Sequence, residues 1–193
     1  MMNLDREQLW EMRPQLLLSV WFTQGIILLT AIIFLIIQGR LEWKLIFDKD
    51  DLNWIIIGIG VGLLIVIVDV VMDRFLPARW LDDGGINEAL FWGRSIPLIA
   101  LIAFVVSIAE ELLFRGVLQH WLGVVGASCL FVLIHVRYLR RWVLMLTIFC
   151  ISLTFGWMVE WKGTLAPAIA AHFVVDFVLG VLLSKGILPV KKK

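Results

Sequence analysis

Glu110 and Glu111 stand side by side at the end of an apolar run, and Arg115 follows one helical turn after Glu111. A carboxylate in hydrocarbon costs about 2.5–3.5 kcal/mol on insertion scales, so two in succession call for a chemical reason. Glu111 precedes Arg115 in the favourable order for an i,i+4 ion pair, which would keep Glu111 ionised and in place. Glu110 points about 100° away around the helix and has no partner in its own segment. In a partly dry cavity such a carboxylate can take up and return a proton, as a general base on water must. An interfacial Glu-Glu-Arg group facing headgroups is the bland alternative.

Two further clusters lie in apolar sequence. His135 follows Phe131 by one turn, and His172 precedes Asp176 by one turn in Ala171-His-Phe-Val-Val-Asp176. An i,i+4 His/Asp pair can hold a metal, or the carboxylate can fix the imidazole tautomer. The two residues can also satisfy each other between helices. Glu110, His135, His172 and Asp176 fall on three expected helices and could converge on one buried water. His120, flanked by Trp121, reads as interfacial, and Asp69, near Asp73 and Arg74, as a wetted helix end. Cys129 and Cys150 read as small buried packing residues. Ser107, Ser128 and Ser152 have no visible base partner, and no Gly-x-Ser-x-Gly, Walker, Cys-x-x-Cys or His-Glu-x-x-His motif occurs.

The elements that must position these groups are membrane helices. The chain has 193 residues, is 61% hydrophobic with a mean hydropathy of +0.95, and carries ten tryptophans. A water-soluble domain of that length could not hide so much apolar surface. No basic stripe exists to track phosphates, which argues against a nucleic-acid partner. At about 20 apolar residues per crossing, spans are expected near Gln15–Ile37, Trp54–Met72, from Ser95 through the glutamate pair, up to His135, Trp142–Val159 and Thr164–Ser184. The expected fold is an all-α, polytopic bundle of about six transmembrane helices with an intramembrane polar cavity. The third helix is expected to carry Glu110, Glu111 and Arg115 unbroken to about Leu122, with a short span returning to His135. A tight turn near Gly116 is the alternative.

The N-terminus lacks a basic signal region, so the first run reads as a retained span. With six spans, Arg6, Arg13, Arg74, Arg79, Arg94, Arg137, Arg140, Arg141, Lys185 and Lys191–Lys193 share one side, twelve of 17 basic residues. The positive-inside rule then places both termini in the cytoplasm of a multi-pass cell-membrane protein. Trp80, Phe91 and Trp92 suggest that the 73–94 loop lies along the membrane surface. The expected division is 1–94 (two spans and the surface loop), 95–184 (a catalytic core) and 185–193 (a basic tail).

Glu110-Glu111-Leu-Leu-Phe-Arg115 fits Glu-Glu-x-x-x-Arg, Phe131-Val-Leu-Ile-His135 fits Phe-x-x-x-His, and His172-Phe-Val-Val-Asp176 fits His-x-x-x-Asn/Asp. In that order and spacing the chain resembles the CPBP family of intramembrane proteases, the CaaX and bacteriocin-processing enzymes also called Abi. The resemblance covers about Ile96 to Gly180. It implies an endopeptidase in which Glu110 with His135 activates water, His172 and residue 176 stabilise the oxyanion, and Glu111 with Arg115 supports the site. The substrate implied is a membrane protein or lipidated peptide in the bilayer. Asp176 stands where the prenyl-protein proteases carry asparagine, and an ionised aspartate cannot donate to an oxyanion. Asp176 is therefore protonated, or orients His172, or helps to bind a metal. In the last case Glu110, His135, His172 and Asp176 would be the ligands and zinc the expected ion, making a metalloprotease. Other classes on the same sequence are a non-proteolytic scaffold or regulator and a proton- or metal-coupled transporter.

Overall fold

The computed structural model describes residues 6–81, 83–138 and 141–188, so Arg140 and Lys191–Lys193 of the basic set lie outside the described residues. All regular structure among the described residues is helical. The order is α1 (Arg6–Glu11), α2 (Arg13–Ile37), α3 (Trp43–Ile46), α4 (Leu52–Phe75), α5 (Ala78–Leu81), α6 (Ile86–Phe91) and α7 (Ile96–Glu111). A π-helical segment (Leu112–Leu118), α8 (Gln119–Ile134), a 3-10 turn (Val136–Tyr138), α9 (Trp142–Lys162) and α10 (Ala166–Ser184) follow. Pro14, Pro97 and Pro167 sit in the first turns of α2, α7 and α10. There a proline lacks only an N–H that has no partner inside the helix.

Five helical runs among the described residues are long and apolar enough to cross a membrane: Arg13–Ile37, Leu52–Phe75, Ile96–Ile134, Trp142–Lys162 and Ala166–Ser184. The third has 39 residues, about 58 Å if straight, but it doubles back. Gly123 adopts φ 68° and ψ 177°, a conformation that suits a residue without Cβ. The rings of Phe114 and Phe131 stand 4.8 Å apart, whereas a straight helix would separate them by about 25 Å. The returning segment, 124–134, is about 16 Å long and too short to cross a hydrocarbon layer of about 30 Å. The expectation of about six crossings thus resolves into five runs of spanning length, one of them carrying a half-length return. The helix through Glu110, Glu111 and Arg115 is unbroken, as the ion pair required.

The inner faces meet around Leu35, Val66, Val117, Phe155, Leu165, Ala168 and Ala171. Phe22, Leu29, Ile56, Leu64 and Ile67 point outward, which in lipid carries no hydrophobic penalty. Cys129 and Cys150 are free thiols on exposed faces, contrary to the expected burial. Apolar sequence in a membrane helix can face lipid as readily as protein.

Close backbone approach joins α4 to α10. A Cβ at Gly58 would lie 2.3 Å from the Pro167 carbonyl oxygen, and one at Gly62 would lie 2.7 Å from that of Ala171. This is the small-x-x-x-small contact of membrane helices. The 73–94 region holds α5 and α6, and Glu88, Ala89 and Leu90 of α6 are buried against the bundle. Arg13 donates to the carbonyls of Ala89, at 3.0 Å, and Trp92. Ser184 at the end of α10 donates to the Arg94 carbonyl at 2.9 Å. At the opposite ends of these helices, Lys162 Nζ reaches the buried Asp51 carboxylate at 2.8 Å. Burial acts to raise the Asp51 pKa, but the Lys162 ammonium and the Asp48 backbone N–H outweigh it and hold the carboxyl below its ordinary value.

Candidate active site

Three helical elements carry the chemistry inward. Glu110 and Glu111 end α7, Arg115 lies in the π-helical segment, and His172 and Asp176 share one face of α10. A π-turn is uncommon and is found mostly where a site needs side chains aligned differently from an α-helix. Its last carbonyls have outside donors: Arg40 Nη1 reaches Gly116 O at 2.7 Å and Gln38 Nε2 reaches Val117 O at 3.3 Å.

Glu111 Oε2 lies 3.2 Å from Arg115 Nε, and both side chains are fully buried. Arg115 Nη2 donates to Ser152 Oγ at 2.9 Å, and its guanidinium stands 5.6 Å from the Phe131 ring centroid. The other Glu111 oxygen accepts from His172 Nδ1 at 2.9 Å. With Glu111 ionised by its arginine, Nδ1 carries the proton and Nε2 turns to the remaining carboxylates. Nε2 is 3.5 Å from Asp176 Oδ2 and 3.9 Å from Glu110 Oε2. Glu110 Oε1 accepts from Gln24 Nε2 of α2 at 2.9 Å. The Asp176 side chain is 33% exposed, against 9% for Glu110 and His172 and none for Glu111. The cluster therefore opens on the Asp176 side.

Five of the six residues read from the sequence thus meet. His135 is the exception. Its Nδ1 lies 2.7 Å from the Phe131 carbonyl oxygen of its own turn, and its ring packs on Phe131 and Tyr138. Phe131 in turn stands 6.4 Å from His172, ring centroid to centroid. Among the described residues no carboxylate comes within ion-pair distance of His135. The nearer imidazole to Glu110 is His172. Among the described residues no three His, Cys, Asp or Glu side chains are placed to hold a metal ion. The set Glu110, His135, His172 and Asp176 does not fit a zinc ion as arranged.

The sequence reading leaves out Gln24 and Gln119, and weighs Ser152 only as a nucleophile and not as a partner of Arg115. Each lies at a spacing that could have been noticed. Gln24 is a buried polar residue in the uncharged middle of α2. Glu111, Arg115 and Gln119 recur every four residues and face Ser152, Gly156 and Glu160 at the same interval. Gln119 Nε2 donates to Gly156 O at 3.0 Å and approaches Glu160 Oε2 at 3.3 Å. His120 is exposed, as expected of an interfacial residue, and Ser107 donates to Phe104 O within its own helix.

Fold and site together define a multi-pass helical membrane protein with an acid–base cluster buried among its helices. Residues 92–178 match the family described as type II CAAX prenyl endopeptidase Rce1-like. The chain belongs to that family of CAAX-type membrane proteases. It is also 38% identical over 133 residues to the uncharacterized protein YpbD of Bacillus subtilis (strain 168), an alignment covering 69% of this chain and 70% of that relative. No solved structure matches the chain.

Proposed function

We propose that the protein is an intramembrane endopeptidase that hydrolyses peptide bonds in membrane-associated proteins or lipidated peptides, with Glu110 as the base. The observation that carries this reading is the 3.9 Å separation of Glu110 Oε2 and His172 Nε2 inside a buried, polar cluster. One water can hydrogen-bond to both atoms across that distance. Glu110 takes a proton from the water as its oxygen attacks the scissile carbonyl carbon. The proton then passes to the departing amine as the C–N bond breaks, leaving a carboxylate and an amine. His172, fixed through Nδ1 by Glu111, holds Nε2 at the reacting atoms, and Asp176 lies 3.5 Å from that nitrogen on the open side. His135 Nε2, whose ring partner is bound to the Phe131 carbonyl, is left to meet the substrate. After α8 the chain is back at the end that holds α6, where Asn87 Nδ2 donates to Tyr138 OH at 3.2 Å, which supports one side for both termini. The basic-residue asymmetry assigns that side to the cytoplasm, which reporter fusions at either end would check.

The test is cleavage of quenched membrane-peptide and prenylated-peptide substrates by purified protein in nanodiscs, with and without a strong chelator. Wild type should cleave and Glu110→Gln, which is nearly isosteric, should lose at least about a thousandfold in kcat. Chelation should leave the wild-type rate unchanged. A rate abolished by chelator and restored by zinc would replace this mechanism with a metal-bound water. Full complementation of a deletion by Glu110→Gln in cells would replace the enzyme with a scaffold.

A further inference from the structure

Gln24 lies in α2, outside the segment 92–178 that matches the protease family, yet its side chain ends in the site. It is 6% exposed and shares the inward stripe of α2 with Ala31 and Leu35. A leucine at such a position would pack without cost, whereas an amide there must find partners. Gln24 Nε2 has one, Glu110 Oε1 at 2.9 Å, and its own Oε1 is buried with no hydrogen-bond donor among the described residues. A residue that keeps one polar atom unsatisfied in the interior is not optimised for stability.

What the amide does to Glu110 follows from its chemistry. A glutamate side chain turns about three bonds, and its own helix gives Glu110 no partner. Holding Oε1 from α2 fixes the plane of the carboxylate and leaves Oε2 as the oxygen facing His172 Nε2. An amide neither takes nor gives up a proton at working pH, so it orients the carboxylate without competing for the proton that Glu110 must receive. A lysine would form an ion pair with it, and a second carboxylate would repel it or share its proton. Glutamine is the long side chain that does neither.

We propose that Gln24 is a positioning residue for peptide hydrolysis, supplied by the first spanning helix, whose amide sets the orientation of the Glu110 carboxylate toward His172. This inference rests on the endopeptidase reading above. It also means that α2 completes the site and is more than a membrane anchor for the family segment.

The test combines two readouts on the full-length protein in nanodiscs. Gln24→Met keeps length and bulk and removes the donor. Gln24→Asn keeps the amide and withdraws it by one methylene. Both should lower kcat by roughly 10–100-fold, the usual cost of losing a group that orients a reacting side chain, with KM changed by less than about twofold. Thermal unfolding of Gln24→Met, Glu110→Met and the double variant forms the second readout, a thermodynamic cycle independent of substrate. Non-additive Tm shifts are expected, because each variant removes the same hydrogen bond. Wild-type kcat in Gln24→Met, or a fall in KM-dependent binding alone, overturns the positioning role. Additive Tm shifts overturn the contact itself. Coupled Tm shifts in a protein whose wild type cleaves nothing would reject hydrolysis separately and reduce Gln24 to an interhelical tie.

Discussion

Two adjacent glutamates do different work because their environments differ by one step around a helix. Glu111 is fully buried and ion-paired to Arg115, and it also accepts from His172 Nδ1. Removing one partner of such a pair leaves an uncompensated buried charge, typically about 3–5 kcal/mol of lost stability. Glu111→Gln should therefore lower Tm far more than Glu110→Gln, and its loss of activity alone would prove nothing about catalysis. The double variant Glu111→Gln/Arg115→Met separates the two effects. With neither charge present, much of the lost Tm should return. Activity should stay down by about a hundredfold or more, because His172 lacks the carboxylate that fixes its Nδ1. Thermal unfolding and kcat measured on the same preparations check this. Recovery of both together would make Glu111 a purely structural residue. The Glu111–Arg115 pair was legible in the sequence because it is local, one turn of one helix. The Glu111–His172 bond joins residues 61 positions apart, and no spacing rule reaches that far.

At the scale of elements, hydropathy located every spanning run to within a few residues, since about 20 apolar residues are needed whatever the neighbours are. Hydropathy does not show which side of each run faces protein, so Cys129 and Cys150 read as interior residues and lie on exposed faces. The π-helical segment also left no mark in composition. Its geometry depends on contacts from outside, among them the Arg40 donation to Gly116 O. The seam between α4 and α10 is what sets His172 at its depth, and the glycines on it differ sharply. A Cβ at Gly62 would lie 2.7 Å from Ala171 O and 2.9 Å from Val174 Cβ, whereas one at Gly60 would meet nothing within 4 Å. Gly62→Ala should cost about 1–3 kcal/mol of stability, as overpacking does. Because Ala171 immediately precedes His172, it should also lower kcat. Gly60→Ala should be neutral or slightly stabilising, since alanine is the better helix former. Equal Tm values for the two variants would show that the α4–α10 contact is looser than this geometry.

Over the whole molecule, the bundle is tied at both ends, and the two ties respond differently to pH. At one end the bonds of Arg13, Arg94 and Ser184 are made to backbone carbonyls, which do not titrate. At the other, the buried Asp51 holds Lys162 at 2.8 Å and joins the start of α4 to the end of α9. Burial raises the Asp51 carboxyl and the Lys162 and Asp48 contacts outweigh it, so its pKa in the folded protein lies below the unfolded value. A depressed folded pKa contributes stability that is complete above the unfolded value, roughly pH 4, and is lost as pH falls through the folded one. Asp51→Asn should therefore have a lower Tm than wild type at pH 7. The difference should be constant down to about pH 5 and should shrink at lower pH as the wild-type carboxyl protonates. Lys162→Met should show the same convergence, because it removes the other half of the same pair. A Tm difference that persists undiminished at pH 3 would mean that Asp51 acts through the shape of the turn, by accepting from the Asp48 backbone N–H at 2.7 Å, and not through charge. Since α9 and α4 flank the helices that carry Arg115 and His172, loosening this end should also broaden the temperature dependence of cleavage before the bundle unfolds.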